Sequence, residues 1–102
     1  MKIGGPIIQN KIGDAWLAVC SVFNRMQITG FEMPWFILIA TKIELTSLEG
    51  RRLVAHERCH QDQMRRLGIA MYYWQYLFQW RKYGYLEMPL EKEAYAVGRQ
   101  VQ

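Results

Sequence analysis

The sequence is poor in the two residue types that most often build small stapled domains: it has two cysteines and two histidines. Cys20 and Cys59 form no CxxC pair, and two thiols cannot make a disulfide framework. That excludes the disulfide-dense secreted class and leads us to expect a reducing compartment. Also missing is any run of about 18 consecutive apolar residues, so no membrane span is expected. Trp35 to Ala40 is strongly apolar but short. Met1 to Val22 lacks the unbroken apolar stretch of a signal peptide, because Gln9, Asn10, Lys11 and Asp14 interrupt it. The expected location is therefore cytoplasmic. No repeat, low-complexity tract or linker is visible. The net charge is +4, but the basic residues are not gathered into one patch. Arg51, Arg52, Arg58, Arg65 and Arg66 lie along one expected helix as a solvated face, and nucleic acid is not an expected partner.

The 102 residues suit a single domain over 1–102. A hydrophobic content of 51%, with 14% aromatic, is enough for a core. A domain of this size buries a modest fraction of its surface, so a bound metal would help to stabilise it. Residues 1–11 read as irregular, with a turn at Gly4, Gly5 and Pro6. Asp14 is expected to cap a helix starting near Ala15, with Trp16, Val19, Cys20 and Phe23 on its inward face and Gly30 ending the region. Phe36 to Thr41 is a β-prone run, and Ile43 and Leu45 alternate with Lys42 and Glu44. One or two strands are therefore expected between Gln27 and Thr46, packed on helices because so few strands make no independent sheet.

Ser47 caps a long helix with Glu49 in its first turn and Gly68 at its end. Leu48, Leu53, Val54, Met64 and Leu67 supply its apolar positions. An aromatic helix follows from Ile69 to about Tyr83, stopped by Gly84. Met71, Trp74, Leu77 and Phe78 follow helical spacing and are expected in the core, in preference to a membrane-interface or stacking surface. Pro89 opens a last helix running to about Val101, with Leu90, Ala94, Val97 and Val101 as its buried stripe. The expected fold class is α+β, with three or four helices and a small β-sheet or hairpin.

His56-Glu57-Arg58-Cys59-His60 is an H-E-x-x-H sequence within the long helix. Residues i and i+4 share a helix face with their β-carbons about 6 Å apart. Two imidazoles there can converge on one ion. Glu57 lies about 100° round the helix from His56. From there it can take a proton from water at the metal without being a ligand. A catalytic zinc needs a third protein ligand, and both histidines are already used. Cys59 projects to the other side of the His56–His60 stripe, and Asp62 points away. The last helix offers Glu91, which borders the buried stripe and shares a face with the small Ala94 and Gly98, and Glu93, which lies farther round. Glu91 is the preferred ligand and Glu93 the reserve. Tyr76, Tyr83 and Tyr85 are candidates for a phenol near the metal that stabilises an oxyanion, each with the alternative of a core or rim tyrosine. Gln61 and Gln63 either orient a ligand or continue a polar face. Cys20 and Cys59 read as small buried apolar residues.

H-E-x-x-H followed by E-x-x-A in a later helix resembles the gluzincin-type zinc metallopeptidases, including the Glu-x-x-Ala-Asp and Glu-x-x-Ala-Asn groups. The longer pattern is similar to small zincin-like proteins of bacteria and their phages, through Leu53-Val54-Ala55-His56-Glu57-Arg58-Cys59-His60-Gln61-Asp62-Gln63, Gly84-Tyr85 and Pro89-Leu90-Glu91-Lys92-Glu93-Ala94. It covers roughly residues 48–98. The resemblance implies a minimal zincin-like domain with His56, His60 and Glu91 as zinc ligands and Glu57 as general base. It also implies a strand just before the active-site helix, which Phe36–Thr41 would supply. Tyr95 stands where the peptidase groups carry Asp or Asn, a residue that often supports a histidine ligand. The expected activity is zinc-dependent hydrolysis of a peptide bond in a peptide or protein substrate. The alternative is a zinc-stapled structural or interaction protein with a protein partner, for example a virion-associated phage component.

Overall fold

A computed structural model describes residues 3–102. Four helices pack with a three-stranded mixed sheet, an α+β architecture. Strand β1 is Ile7–Ile8, helix α1 Lys11–Asn24, β2 Gly30–Met33, β3 Phe36–Ile39, α2 Leu48–Leu67, α3 Ile69–Tyr83 and α4 Pro89–Arg99. No helix among the described residues is long and apolar enough to cross a membrane.

β3 is the central strand. β1 runs parallel to it, pairing Ile7 with Ile37, and β2 runs antiparallel, pairing Gly30 with Ile39 and Glu32 with Ile37. The strand period of two puts Ile37 and Ile39 on the buried face, and their partners Gly30 and Glu32 are buried with them. A glutamate thus enters the interior opposite an isoleucine. β2 is an edge strand of the sheet and borders the site described below.

α2 is the axis of the molecule. The Ser47 hydroxyl accepts from Gly50 N at 3.0 Å, capping its start. At its end the Gly68 amide donates to Met64 O at 2.8 Å, and a φ of +83° at Gly68 turns the chain into α3. α4 lies close against α2. A β-carbon at Gly98 would come within 2.9 Å of Arg52 O, so only glycine allows this approach. Arg52 Nε also donates to Val101 O at 3.0 Å, tying the end of α4 back to the start of α2. That docking brings the first turn of α4 level with the middle of α2. Two apolar clusters fill the interior: Leu17, Ile28, Ile37, Ile39, Ala40 and Ile43 beneath the sheet, and Met64, Tyr72, Met88 and Leu90 between α2, α3 and α4.

Several local expectations are corrected. Part of the stretch read as irregular forms β1; Met1 and Lys2 lie outside the described residues. Asn10, not Asp14, caps α1, accepting from Gly13 N at 2.7 Å. Asp14 instead receives Thr41 N at 3.0 Å and Thr41 Oγ1 at 2.6 Å. Gly30 opens β2 rather than ending a region, and Ile43 and Leu45 lie in the turns after β3. On α1, Trp16, Val19 and Phe23 face solvent, while Gly13 and Leu17 are buried and Cys20 is half-buried. On α3 the expected inward set is the outward one: Trp74 is 68% exposed, and Met71, Leu77 and Phe78 are exposed with it. Tyr72 is the fully buried residue of that helix. Leu48 is exposed at the helix start, and α4 ends at Arg99 with Val97 and Val101 only half-buried.

Candidate metal centre

The i, i+4 spacing on α2 sets the His56 and His60 rings with centroids 5.0 Å apart. From the first turn of α4, Glu91 Oε1 approaches His56 Nε2 at 2.9 Å and His60 Nε2 at 3.1 Å. The three residues are buried, and their donor atoms lie within 4.8 Å of one another, so the group can hold a metal ion. The other oxygen, Oε2, accepts from the Tyr76 hydroxyl at 2.6 Å, which fixes the carboxylate plane. Tyr95 packs edge-on against His56 with centroids 4.3 Å apart, so at this position an aromatic contact braces the imidazole.

Gln63 decides the tautomer of His60. Its Nε2 donates to Leu90 O at 2.9 Å and to Glu93 Oε1 at 2.8 Å, so its Oε1 must be the atom that faces His60 Nδ1 at 2.9 Å. Nδ1 therefore carries a hydrogen and donates. In the neutral ring, Nε2 then presents a lone pair to Glu91. Its separation from Glu91 is short, yet the alignment is too poor for a hydrogen bond, and Nε2 is a buried polar atom without a partner among the described residues. Two electron-rich atoms at this distance require a cation between them, either a metal or a proton. The charges point the same way. Burial lowers the His60 pKa, but the nearby negative charges of Glu32 and Glu91 prevail and raise it to about 9. Burial raises that of Glu91, but the hydrogen bond with His56 and the closeness of His60 prevail and hold it at about 2. We expect Gln63→Ala to weaken metal affinity by roughly 10- to 100-fold, the usual cost of an outer partner, with little change in fold. A competition titration with a chromophoric chelator measures it; an unchanged affinity would remove Gln63 from the site.

Glu57 sits beside this group without joining it. Its Oε1 is 3.9 Å from His56 Nε2, and its carboxyl is hydrogen-bonded to that of Glu32. Oε2 has no partner among the described residues although Glu57 is only 3% exposed. Burial, then the neighbouring Glu32 and Glu91 charges, push its pKa well above the ordinary carboxyl range. A raised pKa is what a group needs to accept a proton and later release it. Gly30 gives this side chain its room: a β-carbon there would lie 3.2 Å from Glu57 Oε1.

The remaining candidates separate cleanly. Glu93 is half-exposed and engaged by Arg66 and Gln63. Asp62 is exposed and paired with Arg65 at 2.7 Å. Cys59 is buried, with its Sγ 3.7 Å from Glu93 Oε1, and burial followed by that charge pushes its thiol up to about 11. Gln61 spans to the backbone, donating to Gly4 O at 2.9 Å and Met33 O at 3.0 Å. Tyr76 and Tyr85 border a cleft of about 490 Å³ that also reaches Glu57 and Glu91. Tyr83 is exposed and lies outside it. Sequence reasoning missed Glu32, whose Oε1 accepts from Tyr72 OH at 2.9 Å. Alternation with the apolar Phe31 and Met33 would put it on the solvent face; the register opposite Ile37 turns it inward.

No family model, curated protein or solved structure matches the chain.

Proposed function

We propose that the protein is a zinc-dependent peptide hydrolase. The single observation carrying this reading is the convergence of His56 Nε2, His60 Nε2 and Glu91 Oε1 in a buried pocket, where His60 Nε2 has no hydrogen-bond partner among the described residues. Two imidazoles and a carboxylate form the donor set of a catalytic zinc, three protein ligands that leave one position open. His56, His60 and Glu91 would hold the ion. When bound, it supplies Lewis acidity toward a carbonyl and lowers the pKa of water to about 7.

Glu57 is the general base. It takes a proton from the attacking water and returns it to the leaving amine, a cycle suited to a carboxyl whose pKa is raised by burial. Glu32 and Tyr72 hold that carboxyl from behind, Tyr72 donating to Glu32 and Glu32 bonding to Glu57. The cleft of about 490 Å³ gives substrate access to Glu57 and Glu91. A second reading, a zinc-stapled structural or interaction protein such as a virion component, is favoured by the burial of all three donors. The two readings part on turnover. A hydrolase cleaves members of a broad peptide library, stops when a chelator strips the metal and resumes when zinc is restored. Full zinc occupancy with no cleavage of the library or of cell-wall peptides would support the staple instead.

A further inference from the structure

Three carboxylates, Glu32, Glu57 and Glu91, reach the cleft, and no lysine or arginine among the described residues lines it. The walls are aromatic, formed by Phe31, Tyr72, Tyr73, Tyr76, Trp80 and Tyr85. Glu91 is matched by the two imidazoles. Glu32 has no cation in direct contact, only the more distant His60, among the described residues. It is buried, it accepts from the Tyr72 hydroxyl, its other neighbour is the carboxyl of Glu57, and among the described residues it forms no ion pair. A buried carboxylate without a cation is expensive to keep, and such groups concentrate where a ligand supplies the missing charge. A second feature lies beside it: Glu57 also lines the cleft, and its Oε2 is buried with no partner among the described residues. Aromatic faces beside a buried carboxylate that no cation contacts make a site for an organic cation.

We propose that the cleft binds a primary ammonium attached to an apolar body, with Glu32 as its counter-ion and the aromatic walls around it. This deepens the hydrolase reading and rests on taking the cleft as the substrate side of the metal centre. A peptide N-terminus and a lysine side chain both offer that chemistry. In either case the apolar body fills the aromatic cleft while the charge meets Glu32. The Glu32–Tyr72 hydrogen bond keeps the carboxylate aimed in the absence of ligand.

Calorimetric titration of the full chain tests this, with zinc content measured on every sample. The probes are phenylalanine amide, Nα-acetyl-lysine amide and, as the uncharged control, N-acetylphenylalanine amide. At least one charged probe should bind about tenfold or more tightly than the control, and Glu32→Gln should abolish that preference. Tighter binding of phenylalanine amide assigns the site to a peptide N-terminus, and tighter binding of the lysine probe assigns it to a side chain. Equal binding of charged and acetylated probes overturns the proposal. Absence of binding by both charged probes, or a preference unchanged in Glu32→Gln, does the same. If circular dichroism shows that Glu32→Gln does not fold, the wild-type comparison decides alone. A zinc-loaded sample without the preference defeats this inference while leaving the metal reading standing. A zinc-free sample that keeps the preference defeats the metal reading and leaves the ammonium site.

Discussion

Glu57→Gln is expected to keep its zinc and to lose peptide hydrolysis by about 10²- to 10⁴-fold. The metal survives because Glu57 is not one of the three converging donors; its nearest approach to the group is 3.9 Å from His56 Nε2. The fold survives because glutamine has the same shape and its amide can donate to the Glu32 carboxylate, preserving the contact that now joins the two acids. Only the ability to accept and return a proton is lost. Turnover and zinc per chain, measured on one preparation, separate these effects. Undiminished turnover would mean that another group moves the proton, and zinc lost together with activity would mean that Glu57 serves the ion directly.

The other large effect concerns the choice between two glutamates on one helix. Glu91→Ala should weaken zinc binding by at least about 100-fold, more than loss of an outer partner causes, and lower thermal stability with it. The substitution removes the one carboxylate within 3.1 Å of both imidazoles and leaves the Tyr76 hydroxyl without its acceptor. Glu93→Ala should retain zinc. Its carboxylate is turned toward Arg66, Gln63 and Cys59, and its only link to the centre runs through Gln63. A modest drop in affinity through that link fits the account. Full zinc in Glu91→Ala, or complete loss in Glu93→Ala, would reverse the assignment.

The parts of the site that were readable from sequence are those fixed by local geometry. His56 and His60 share a helix face by their spacing alone, and Ser47 and Gly68 mark where that helix begins and ends. Glu91 could be preferred to Glu93 because it shares a face with Ala94 and Gly98; both are buried, and Gly98 is where α4 meets α2. What escaped depends on tertiary placement. α3 carries large apolar residues on every side, so spacing cannot choose its buried face. The structure buries Tyr72, whose hydroxyl has a carboxylate to meet, and leaves Trp74, Leu77 and Phe78 outside. α1 failed in a similar way, since Leu17 and Gly13 settle against the sheet while the bulkier Trp16 and Phe23 face outward. β1 has only two residues and exists because β3 offers it an edge. Glu32 was hidden because a charged residue on a short strand reads as solvent-facing; its register opposite Ile37 turns it inward.

The hydrolase reading requires one zinc held by two imidazoles and one carboxylate, with no thiolate. X-ray absorption at the zinc edge, on freshly purified protein of known metal content, identifies the atoms bound to the ion. One zinc per chain surrounded by nitrogen and oxygen alone, with the multiple-scattering pattern of two imidazoles, is the predicted result. Protein without zinc, or a spectrum showing sulfur bound to the metal, would contradict it.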